Sequence, residues 1–180
     1  MLTTSPNRLR RIRLACTGLM ALCLLVAVVW PVAVAGTLAT MPDAQLFQGF
    51  VGRALTGPDI PITTRVLAIA LSVVPVLVAS TGVLALLPGL SDMRAGQLFP
   101  ATAFRGLRLF AVALQLSALL RLLITPMQSL LLTAGRDERT LVISIGSDVV
   151  QSFALGLGMW LLAWIFAEGR ALASENAEFI

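Results

Sequence analysis

Long charge-free runs dominate the chain, and they fix the number of membrane crossings, because a spanning helix needs about 20 mostly apolar residues. Residues 14–42 carry no charge, and their apolar centre at 14–35 is long enough for a first helix. A second uncharged stretch, 66–91, contains a span at 66–87. A third candidate occupies 109–134 and is interrupted by Arg121 and Pro126, and a fourth occupies 141–167 with one acid, Asp148, inside it. The pattern predicts an all-α integral membrane protein, a single transmembrane domain of four helices in an antiparallel bundle. A loop at 36–64, a turn at 88–108 and a tail at 168–180 complete it. Within the loop, Leu46, Phe47, Phe50, Val51 and Leu55 recur at helical spacing. That spacing fits a short helix on the membrane surface or a loop packed on the bundle.

Composition agrees, since 58% of the 180 residues are hydrophobic and only 12% are charged, too few to solvate a globule of this size. All thirteen basic residues are arginine, and the chain has no Lys, His or Tyr. These arginines stand singly at the ends of apolar runs and form no continuous face, which selects anionic lipid head groups over nucleic acid as their partner. Arg8, Arg10, Arg11 and Arg13 precede the first span and hold that end inside the cell under the positive-inside rule. Both termini are then cytoplasmic, the 36–64 loop is periplasmic, and Arg94, Arg105 and Arg108 mark the 88–108 turn as cytoplasmic. Arg136 and Arg139 in the last short loop oppose this assignment, and the acids Asp137 and Glu138 between them contribute little to the rule. A cleaved signal peptide is the rival reading of the first run, which ends in Ala33, Val34 and Ala35. The run is longer than the roughly 7 to 15 residues of a signal core and is followed by three more spans, so a retained helix is expected.

The cytoplasmic turn and tail carry a family resemblance. Gly96, Gln97, Leu98, Phe99 and Pro100, followed by Ala103, Arg105, Leu107 and Arg108, resemble the Gly-x-x-Phe-Ser segment with a downstream Leu-Arg of the bacterial domain-of-unknown-function 2975 family. The stretch from Ile165 through Glu168, Gly169, Arg170 and Leu172 to Glu175, Asn176 and the final Phe179 and Ile180 is similar to that family's closing helix. The resemblance implies four membrane helices in the bacterial inner membrane and brings no activity with it. Pro100 departs from the pattern, standing where the family has Ser or Thr. Proline cannot accept a capping hydrogen bond but suits a first helical turn, so the third helix is expected to shift its start, with Phe99 as an apolar staple.

Arg121 and Asp148 are the ionisable residues deepest in the apolar runs, and each costs about 2.5 to 3.5 kcal/mol at a helix centre. An antiparallel hairpin turning near residues 135–138 places them within about one turn of each other, so they are expected to pair. Ser117, Arg121, Thr125 and Gln128 share one face of the third span, and Ser144, Ser147, Asp148 and Gln151 one face of the fourth. Facing stripes of this kind either glue two helices together or line a path for a proton or small solute. Glue is favoured, because a lone pair without His, Lys or further acids makes a poor relay. Ser152 with Gly156, and Ala154 with Gly158, have the spacing that lets helices approach closely, for which packing within the chain is a sufficient reason. Cys16 and Cys23 lie about 10 Å apart along one helix, too far to bridge, and read as apolar packing.

Absences narrow the function further. Without His there is no usual triad and no HExxH metal site, and without Lys no Walker A loop. One intramembrane acid does not make an aspartyl dyad. No enzyme activity, cofactor or metal is expected. The reading is a membrane-embedded accessory or regulatory component with its cytoplasmic turn and tail as the contact surface, where Arg94, Arg105 and Arg108 are expected to face Glu168, Glu175 and Glu178 and hold the tail against the turn; the alternative is a small transporter or channel using the polar stripes. The partners it admits are the lipid bilayer, an unidentified cytoplasmic or membrane protein and further copies of the chain.

Overall fold

A computed structural model describes residues 6–53, 59–97, 100–134, 141–143 and 146–178, with side chains described from residue 10 except 12, and up to residue 169. The expectations for Leu55, Phe99, Ser144 and the charged loop 136–139 lie outside the described residues. Among those residues there is no strand. Six helices follow one another: α1 (Pro6–Thr40), α2 (Asp43–Val51), α3 (Ile62–Leu84), α4 (Leu87–Arg94), α5 (Ala101–Thr133) and α6 (Ser147–Glu178). Four are long and apolar enough to cross a membrane: α1, α3 continued by α4, α5 and α6. At 35 residues α1 is about 52 Å long, so its ends reach past a hydrocarbon layer of about 30 Å.

Neighbours in the sequence are neighbours in space. α1 packs on α3 and α4, α3 on α5, and α5 on α6, each pair of long helices running antiparallel. Among the described residues α1 and α6 touch sparsely at most. Large apolar side chains cover the outside of the bundle, among them Leu14, Val32, Leu123 and Ile165, each more than half exposed. Such a surface is stable only against lipid or another apolar body. The start of α1 and the end of α6 lie at the same end of the bundle, because Leu19 and Cys23 share an apolar cavity with Phe104 and Phe166.

The two ends are built differently. At one, α2 lies across the helix ends and buries Leu46, Phe47 and Val51 against Ile60, Ala68 and Leu132. The helical spacing in this loop is thus a helix, stopped at Gly52, whose φ of 74° only glycine takes without cost. At the other end the seam between α3, α4 and α5 is closed by glycine. A Cβ built on Gly106 would stand 2.5 Å from the Ala85 carbonyl oxygen, one on Gly82 would stand 2.5 Å from the Ala113 methyl, and one on Gly89 would run into the backbone of Ala103. Backbone meets backbone there, as it does at many membrane helix crossings.

Element boundaries refine the sequence reading. α5 begins at Ala101, directly after Pro100 and ahead of the apolar span that opens at 109, and it passes through Arg121 and Pro126 without a break. Pro100 precedes it with φ −67° and no side-chain cap, the geometry a proline at a helix start imposes. The turn 88–108 contains α4, and the fourth helix starts at Ser147 instead of 141.

Candidate functional site

The late start of α6 sets the geometry of the polar residues. Arg121 shares a cavity with Pro75 and Val76, near the middle of α3, and so lies well inside the layer the spans define. It forms an ion pair with Asp148, which therefore lies at the same depth although it belongs to the first turn of α6. An acid in a first turn is favoured by the partial positive charge of the helix N-terminus, a second reason for a carboxylate there. Upstream, residues 141–143 are not helical, and the Val142 amide donates to the Ser129 hydroxyl at 3.0 Å. The chain reaches α6 alongside the last turns of α5. The pair is not encased: the Arg121 side chain is 31% exposed and that of Asp148 58%.

The expected stripes do not face each other as a continuous path. Gln128 turns to α3, where its amide donates to the Ala68 carbonyl at 2.8 Å and to the Ser72 hydroxyl at 2.7 Å. Thr125 spends its hydroxyl on the Arg121 carbonyl of its own helix, and Ser117 is buried. On α6, Ser147 and Gln151 are exposed. Among the described residues only Arg121 and Asp148 join the two helices by charge. The remaining groups hold α5 to α3 or to itself, as polar side chains in membrane helices commonly do.

A second ion pair escaped the sequence reading. Arg65, in the first turn of α3, donates to Asp43 at 2.7 Å and to the carbonyls of Ala39 at 2.8 Å and Met41 at 2.5 Å, with Leu38 at 3.4 Å. These carbonyls close α1, and the last turn of a helix has no partners of its own for them. Asp43 opens α2 and also accepts the Ile60 amide at 3.1 Å. Arg65 thus clasps the end of α1, the start of α2 and the start of α3. The signal was present in the sequence as an arginine at the edge of an uncharged run, which reads equally well as an anchor in the head groups.

The opposite end carries Arg94, Arg105 and Arg108. No ion pair among the described residues involves Arg94, Arg105 or Arg108, and Glu168 is exposed without one. Asp92 is held by the Thr102 hydroxyl at 2.6 Å, which ties α4 to α5. Of the family-like residues, Gly96 follows the end of α4 with φ 99°, a left-handed turn that favours glycine. Leu107 is half-buried and borders the cavity beside Cys23, and Arg108 is exposed. Glu175 and Asn176 lie in α6, which continues helically to Glu178, with their side chains outside the described residues. Cys16 and Cys23 are buried and free. Gly156 is pressed against Gln115 and the Ala111 carbonyl, whereas Gly158 has nothing within 4 Å. Of the two small-residue pairs, one packs within the chain and the other faces outward.

The described residues contain no cluster of His, Cys, Asp and Glu that would hold a metal ion. No known family pattern, curated protein or solved structure matches the chain.

Proposed function

We propose that the protein is a non-enzymatic accessory or regulatory component of the bacterial cytoplasmic membrane, of the domain-of-unknown-function 2975 kind, with its arginine-rich end in the cytoplasm. The observation that carries this reading is the form of that end. α6 runs on as a helix to Glu178, about twelve residues past Phe166, and the nearby Arg94, Arg105 and Arg108 are not engaged by acids of the chain itself. A projecting helix beside unpaired cations is a surface suited to a second component, cytoplasmic or membrane-bound. The topology it requires puts Arg53 outside and Asp92 inside, which cysteine accessibility in intact cells reads directly. A photoreactive residue at Glu175 in native membranes should give a reproducible adduct with another protein, and deleting residues 174–180 should change the behaviour of the cell. Self-adducts and lipid alone would refute the reading.

One observation favours the transporter alternative. Residues 141–143 are non-helical beside α5, and α6 starts at a charged pair, an arrangement tolerated at membrane depth where backbone is covered by protein or lines a wet cavity. Solute flux through proteoliposomes that disappears in Asp148→Asn would establish that alternative and displace the accessory role.

A further inference from the structure

Between α5 and α6, at the arginine-rich end, runs a groove of about 440 Å³. Its floor is Ala163, only 5% exposed, a side chain too small to fill the gap between two helices. Trp160 and Trp164 on α6 and Phe104 on α5 form its walls, and Arg105 and Arg108 edge it. The tryptophans are four residues apart and the arginines three apart, so each couple occupies one helix face.

This arrangement is costly when empty. Two arginines at that spacing repel each other, and neither has a carboxylate to offset the repulsion. Two indoles add N–H groups that can donate but never accept. Every polar group at the groove's rim is therefore a donor, and each asks for an anionic oxygen. The walls are aromatic and open sideways on the apolar surface of α6, where Leu161, Leu162 and Ile165 are about half exposed. A soluble anion would satisfy the arginines and leave these rings uncovered. A phosphate carrying acyl chains satisfies both, and tryptophan and arginine both favour the membrane interface.

We infer that the groove is a binding site for an anionic glycerophospholipid, its phosphate held by Arg105 and Arg108 and its chains lying over Trp160, Trp164 and Ala163. The inference goes beyond the accessory reading and does not depend on it, because lipid occupancy here is compatible with any role of the projecting end of α6.

The three tryptophans make the test direct. In a Trp30→Phe background the fluorescence comes from Trp160 and Trp164 alone. The protein is reconstituted in phosphatidylcholine vesicles, and brominated phosphatidylglycerol is compared as quencher with brominated phosphatidylcholine. Each interfacial arginine is worth about fivefold in affinity for an anionic head group, so phosphatidylglycerol should quench at a several-fold lower mole fraction. Arg105→Gln combined with Arg108→Gln should abolish the preference. Equal quenching by the two lipids would overturn the inference, and that comparison needs no arginine variant and so does not depend on how one folds. A preference retained in the double variant would overturn it as well. Removal of the preference by millimolar inorganic phosphate would assign the arginines to a soluble phosphate and overturn the lipid assignment.

Discussion

The two ends of the bundle solve the same packing problem by opposite means. At the α2 end, one arginine is fully employed: Arg65 pairs with Asp43 and takes up the closing carbonyls of α1, over a core of Leu46, Phe47 and Val51. At the other end, the helices meet through Gly82, Gly89 and Gly106, with Asp92 tied to Thr102 beside them. Backbone contact holds that end together, and Arg94, Arg105 and Arg108 have no carboxylate partner there. The same residue type is a structural clasp in one place and an available surface in the other, and burial with partners tells them apart.

The sharpest way to break the contrast is at Arg65. Arg65→Leu strands Asp43 and three carbonyls at once, and the expected loss is about 3 kcal/mol in a reversible detergent-unfolding titration. At the glycine end, Gly106→Ala drives a methyl into the Ala85 carbonyl. Overpacking of this kind costs about 1 to 3 kcal/mol, against a gain of about 1 kcal/mol in helix propensity, so a net loss of up to about 2 kcal/mol is expected in the same titration. Gly158→Ala, in open space, should be neutral or slightly stabilising, and a loss there would show that the outward face of α6 is covered. Between α5 and α6, a double-mutant cycle of Arg121→Leu and Asp148→Leu should give a coupling of about 1 kcal/mol, and additivity would deny the pair. The smallest effect belongs to Arg105→Gln with Arg108→Gln, expected within about 0.5 kcal/mol of the parent by thermal melting. A large loss there would make these arginines structural too and erase the contrast.

The crossings were legible in the sequence because lipid leaves a simple record: about 20 residues without charge. The pairing of Arg121 with Asp148 was legible as well, since two opposite charges inside apolar runs need each other, although the helical count from 141 does not hold. The start of α6 was not. Leu141, Val142 and Ile143 are apolar whether helical or extended, and hydropathy is blind to the difference. Arg65 stayed hidden because its partners, Asp43 and the end of α1, are brought to it across a long loop. Gln128 was placed on the right face of α5 and given the wrong neighbour, for a face read from one helix does not say which helix lies opposite. The glycine seam needed a structure, because only three-dimensional contact distinguishes Gly106, which has no room for a methyl, from Gly158, which has ample room.

Packing in chain order has a consequence for how the protein is made. During synthesis the spans enter the bilayer one at a time, amino end first, and domains assemble in that sequence. When α3 emerges, α1 is already there to receive it; α5 then meets α3, and α6 meets α5. After α1, each span meets its partner already in the bilayer, and no early contact has to be undone to admit a later helix. Contacts so local in sequence favour rapid assembly. Of the four spans α6 is the one that follows α5, and its first turn supplies Asp148, so the charge of Arg121 stays unbalanced until α6 has emerged as well.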